Sequence, residues 1–238
     1  MANDRLNHSD PLQNNPGLEW ASHNRSKAIG MIAAAVVLLI VVVGGYAIYS
    51  HRTDAARTAF GEAMQTYQTP LANPAQPVPP GMTTFPDPKA RAKAANAEFL
   101  AVADKYSMTK PGKLALYFAG LTYMEAGENA SAETTLKDVA GSWNSDLSAL
   151  AKVSLAQLYQ QTGRDADAIS LYNELAKDHA STVTPGMAQI QLAELYESEG
   201  KTSEANKIYA QVKDSDKDAK GNPGAAGEIA TQKLGGKK

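Results

Sequence analysis

The chain has 238 residues, 23 basic against 25 acidic for a formal net charge of −2, and no cysteine. That length leaves room for a membrane span plus one compact domain. The balanced charge carries no basic footprint for nucleic acid, and the lack of cysteine excludes disulfides, thiol catalysis and cysteine-held metals without identifying a compartment.

Residues 1–27 are polar, include Pro11 and Pro16, and show no apolar periodicity, which predicts a disordered tail. Residues 28–49 hold no charged side chain over 22 positions, about 33 Å of helix at 1.5 Å per residue, enough to cross the hydrocarbon core. The run begins too late and is too long for a cleavable signal, and Tyr46 and Tyr49 sit where interfacial aromatics belong, so a transmembrane helix that stays in place is expected. Arg25 and Lys27 flank one end and Arg52 and Arg57 the other. The charge count is thus nearly even. The short tail followed by the bulk of the chain favours an N-terminus inside, with the opposite orientation open as the alternative.

Residues 50–68 read as a juxtamembrane helix, because Ala56, Phe60, Ala63, Met64 and Tyr67 fall on one helical face. Residues 69–88 hold seven of the twelve prolines and form neither a helix nor an inner strand. This stretch is either a spacer, reaching about 60 Å as polyproline, or an insertion between two helices of an interrupted first repeat. A ligand for a proline-binding module is a third reading. The insertion is favoured because Ala95, Phe99 and Val102 recur at the offsets of Ala168, Tyr172 and Leu175.

Three helical hairpins follow: 113–126 with 129–140, 147–162 with 165–177, and 185–199 with 202–212. Asn129, Asp165 and Thr202 are expected to cap the second helices. After a charged, glycine-bearing loop at 214–224, Ala226, Ile229, Ala230 and Leu234 regain one helical face, as a shortened capping helix would, and residues 235–238 should fray.

The hairpins share one internal spacing. Gly120 to Ala132, Ala156 to Ala168 and Ala193 to Ala205 are each twelve residues apart, and Tyr123, Tyr159 and Tyr196 each precede a glycine by four. The copies recur at 36 and 37 residues. This pattern resembles the tetratricopeptide repeat family, whose period is about 34. It departs from that consensus in lacking the early tryptophan and the usual closing proline. The resemblance implies an all-α fold: an N-terminal transmembrane helix, then a solenoid over 89–234 of about three clear repeats with an interrupted first repeat and a capping helix. The repeated tyrosines are read as packing between adjacent helices.

No chemistry stands out. His8, His23 and His51 lie in the tail or beside the span, His179 lies alone in a turn, and there is neither a phosphate-binding glycine loop nor an HExxH motif. Asp165 and Asp167 suit a helix N-terminus. No catalytic, cofactor or metal residues are therefore expected, and the chain reads as a binding protein rather than an enzyme. By the family resemblance, the first helices of the hairpins line a groove made by Leu114, Tyr117, Leu121 and Met124, then Leu150, Val153, Gln157 and Gln160, then Met187, Ile190, Glu194 and Glu197. It runs from apolar to polar to acidic and lacks the basic and asparagine positions of a carboxylate clamp.

The whole arrangement is similar to single-pass tetratricopeptide proteins of the bacterial cell envelope, and within these to the YfgM-like ancillary subunits of the SecYEG translocon. That resemblance implies an inner-membrane protein with a periplasmic domain, and translocon subunits, periplasmic chaperones or exported chains as partners. A scaffold for a secretion, division or outer-membrane assembly complex, an enzyme accessory domain or unrecognised hydrolase, and a cytoplasm-facing scaffold are the alternatives.

Overall fold

The computed structural model describes residues 20, 23–73, 75, 80–178 and 180–235. Most of the polar tail, the centre of the proline-rich stretch, His179 and residues 236–238 lie outside them. The described residues form nine helices and no strand, with two isolated bridges, Leu71 to Phe85 and Lys217 to Pro223. Contacts divide the chain into two units, Met1–Arg52 and Thr53–Lys238.

Helix α1 runs unbroken over Arg25–Gln68. The side chains from Ile29 to Tyr49 are exposed around the whole circumference. A helix that is apolar on every side is covered either by protein or by lipid, and this one has the length and composition to cross a membrane.

In the second unit, residues 53–68 of α1 are amphipathic. Ala56 and Ala63 are fully buried beside α2 (Pro88–Lys105), whose Ala95, Phe99 and Val102 share that core. Rings close the contact, with Phe60 5.7 Å from Phe99 and 5.5 Å from Phe118. The intervening stretch returns on itself: the Ala72 N–H donates to Phe85 O at 2.7 Å and the Phe85 N–H donates to Pro70 O at 3.1 Å.

The hairpins are α3 (Lys110–Ala126) with α4 (Asn129–Ala140), α5 (Ser145–Gln161) with α6 (Asp165–Leu175), and α7 (Pro185–Ser198) with α8 (Thr202–Ser215). Observed ends differ from the expected ones by up to three residues. Within each hairpin the turn has one design. Gly127, Gly163 and Gly200 take φ of 77°, 70° and 78°, the left-handed region open to glycine without steric cost. The next residue's N–H then reaches back to the tyrosine carbonyl: Glu128 to Tyr123 at 2.8 Å, Arg164 to Tyr159 at 2.7 Å, and Lys201 to Tyr196 at 2.8 Å. This is the Schellman closure, which satisfies carbonyls left over at a helix end.

That turn corrects the expected caps. The N-caps of α4, α6 and α8 are Glu128, Arg164 and Lys201, none with a side-chain capping bond, and Asn129, Asp165 and Thr202 stand one position inside the helix. The reason is steric economy in the chain path. The residue that closes one helix also opens the next, so no position is left for a capping side chain. First helices are capped conventionally, by Thr109, Asn144 and Thr184. Ala132, Ala168 and Ala205, four residues after the shared cap, are fully buried where the second helix meets the first.

Helix α9 (Ala225–Gly235) covers the last apolar face. Ala226 and Ala230 join Ile190, Ala193, Tyr209 and Val212 in one cluster, with Ile229 and Leu234 at its edge. Asp216 positions this helix, its carboxylate accepting from the Gly227 N–H at 2.8 Å and its carbonyl from the Gly224 N–H at 2.8 Å. A Cβ at Gly224 would lie 2.5 Å from that carboxylate.

Candidate functional site

The twelve groove positions lie on α3, α5 and α7, but the structure does not present them as one open face. On α3, Leu114, Tyr117 and Met124 are half-buried against the central hydrophobic cluster, and Leu121 is half-buried as well. The Tyr117 hydroxyl lies 3.1 Å from Ser154 Oγ, which joins the first helix of one hairpin to that of the next. On α5, Leu150 and Val153 pack on the same cluster, and Gln157 is exposed. Gln160 turns inward, its Nε2 donating to the Tyr172 hydroxyl at 3.0 Å.

On α7, Met187 is half-buried and Ile190 is only 1% exposed, so Ile190 belongs to the core and not to a contact face. The expected acidic end is also changed. Glu194 is 2.8 Å from Lys233 Nζ and accepts from Gln191 at 3.1 Å. Glu197 accepts from the Tyr209 hydroxyl at 2.8 Å and lies 3.6 Å from Lys233. Lys233 of the capping helix thus offsets one of the two carboxylate charges from within the fold, and a basic partner segment meets less negative charge than the bare sequence of α7 suggests.

Both tyrosines stand twelve residues after the residue they bond, Gln160 to Tyr172 and Glu197 to Tyr209, the offset at which Leu136 follows Met124 in the first hairpin. Burial raises the Tyr172 hydroxyl to about 12. Burial and the Glu197 carboxylate likewise raise Tyr209. Sequence reasoning overlooked these partners, although the twelve-residue offset was the signal that placed them. Lys233, on the cap, had no such signal.

A second polar cluster ties the hairpin turns together. Glu133 receives Lys137 at 2.7 Å, Arg164 at 2.8 Å and the Tyr159 hydroxyl at 3.1 Å, and Arg164 lies 4.0 Å over the Tyr159 ring. The Lys137 and Arg164 bonds hold the Glu133 carboxyl down at about 2. Lys201 repeats the stacking over Tyr196 at 5.5 Å. Asp146 binds the turn before α7, accepting from the Ser181 N–H at 2.7 Å. These arrangements align hairpins and leave no nucleophile beside a base. Among the described residues no group of three or more His, Asp or Glu is placed to hold a metal.

A family profile described as tetratricopeptide repeat-like domain matches residues 26–173. No curated protein matches the chain. Among solved structures, nearly identical TPR-like repeats of Podosopora anserina, assigned to a kinesin light chain, superpose with a TM-score of 0.52 at 18% identity, over 77% of this chain and 84% of that one. The likeness is one of fold.

Proposed function

The chain belongs to the tetratricopeptide repeat-like domain family, and from that premise we propose that it is a membrane-anchored scaffold of the bacterial cell envelope, assisting protein export or chaperone recruitment at the translocon. The observation that carries this reading is the continuity of α1, in which an apolar helix of membrane-crossing length runs on into the first packed helix of a hairpin array. Stacked hairpins offer an extended contact surface and act by holding other proteins. Tethering them to a bilayer raises a partner's effective concentration there without new chemistry.

The contact face proposed is the apolar-to-polar part of the first helices, Leu114, Leu121, Met124, Leu150, Val153 and Gln157. With Glu194 and Glu197 paired to Lys233, the partner segment it suits is apolar and weakly charged. Methionine adapts such a face to several shapes. The domain would be periplasmic, with translocon subunits, chaperones or exported chains as partners.

Two experiments test this. Alkaline phosphatase fused after Lys238 is active only if the C-terminus is exported, and an inactive, stable fusion moves the domain to the cytoplasm. Photocrosslinking from Leu121 and Gln157 in cells, followed by purification in detergent, should recover translocon subunits or chaperones. Adducts to division or outer-membrane assembly components alone would assign the scaffold to that complex instead.

A further inference from the structure

Two large apolar side chains of the repeat domain stand almost fully in solvent: Met108 at 83% exposure and Trp143 at 82%. They sit in the α2–α3 and α4–α5 turns, and hairpin stacking explains neither, because the core at these turns is supplied by Tyr106, Thr109, Val139 and Leu147. The same two turns enclose a depression of about 260 Å³, more than one indole ring occupies. Buried Val139 and Leu147 make its floor, and exposed Ser107 and Asp138 stand on its rim with Lys113. The Trp143 ring lies outside this lining, beside it, with Lys113 Nζ 5.2 Å from the ring centre.

One patch thus carries a protruding ring and an unfilled depression, together with both signs of charge. Lys113 belongs to both features, since it lines the depression and covers the ring. A two-fold contact makes this demand on a surface, because one patch must supply both halves of every contact. An axis midway between ring and depression, in the plane of the contact, sets each ring in the other copy's depression. Lys113 travels with the ring it covers. Its ammonium then reaches the second copy's Asp138 on the rim, and symmetry forms the same pair again.

We infer that this edge is the contact between two copies of the chain, with Trp143 of each seated in the depression of the other and Lys113 paired to the second copy's Asp138 on both sides of the axis. Tryptophan suits the role because its ring buries about 150–250 Å² and its N–H finds polar groups on the rim. Two rings, with the surface they cover, reach roughly half of a standard interface of about 1,600 Å². The dimer is therefore reversible and set by concentration. Met108, next to Ser107 of the rim, adds a flexible apolar side chain at the margin. The contact lies wholly within the repeat domain and depends neither on the translocon reading nor on the direction the domain faces.

Sedimentation equilibrium of the full chain in density-matched detergent should show a reversible equilibrium between monomer and dimer. Trp143→Ala should weaken it about tenfold or more. Lys113→Glu and Asp138→Lys should each weaken self-association about tenfold, since each sets like charges face to face twice. An equimolar mixture of those two chains should pair again, because every contact is then opposite in sign. With Trp20→Phe, Trp143 is the only tryptophan, and its emission should move to the blue as concentration rises. A chain that stays monomeric at high micromolar concentration overturns the inference. So does a dimer that Trp143→Ala leaves at full strength, which comes from another surface such as the apolar helix, or a mixture of charge-reversed chains that fails to pair while circular dichroism shows native helix. Trp143 emission that shifts only when a different protein is added hands the edge to that partner and sinks the two-fold contact.

Discussion

The four-residue step from each tyrosine to its glycine measures one helix end. The tyrosine carbonyl and the glycine's left-handed φ are two halves of a single closure, so glycines that look alike in the sequence differ in what they tolerate. Gly163→Ala is expected to cost roughly 1–2 kcal/mol from the forced left-handed conformation. Gly61→Ala, inside α1 with open space around its Cβ position, should gain about 0.5–1 kcal/mol; paired urea melts check the opposite signs. Gly120→Ala places a methyl 2.7 Å from Leu136 Cδ2 and should cost about 1–3 kcal/mol by overpacking. Caps follow the same reasoning. Asn144→Ala removes the acceptor for the Leu147 N–H and should cost about 1 kcal/mol, whereas Thr202→Ala, one position inside its helix, should fall within about 0.5 kcal/mol of neutral.

Elements meet through a few polar groups that carry the register between hairpins. Glu133 on α4, bonded to Arg164 at the next hairpin's turn, ties two repeats together. Its carboxyl drops from 4.5 to about 2 in the fold, so its contribution to stability is present above the unfolded value and is lost as pH falls through the folded one. Urea midpoints measured between pH 4.5 and 2 should decline less steeply for Glu133→Gln than for the native chain. The cap α9 works differently. Deleting residues 225–238 would uncover Ile190, Tyr209 and Val212, each worth roughly 1.5–3 kcal/mol of burial when fully covered. The last hairpin should then fray, seen as loss of amide protection in α8 while α3 and α5 stay protected.

At the scale of the whole molecule, an apolar helix and a hairpin array share one chain, and the array's inner faces are largely spent on holding it together. Of the twelve proposed contact positions, Ile190 is core, and Gln160, Glu194 and Glu197 are engaged by Tyr172, Lys233 and Tyr209. The change Leu121→Glu should therefore abolish partner crosslinks from Gln157 while the melting temperature falls by only a few degrees. Glu194→Gln should leave crosslinking intact and loosen the cap.

Repetition made the fold legible before any coordinates. Positions twelve apart and a tyrosine four before a glycine are demands of the backbone on a hairpin turn, and a local demand leaves its mark in local spacing. The uncharged run at 28–49 was readable for the same reason, since a helix with the length and composition to cross a membrane shows as a continuous stretch without charge. Contacts between distant segments leave no such mark. Nothing around Lys233 announces that it meets Glu194, 39 positions earlier, and nothing in Asn129, Asp165 or Thr202 shows that the residue before each had already closed the turn. Side chains on separate turns are brought together by packing, and packing depends on every helix at once.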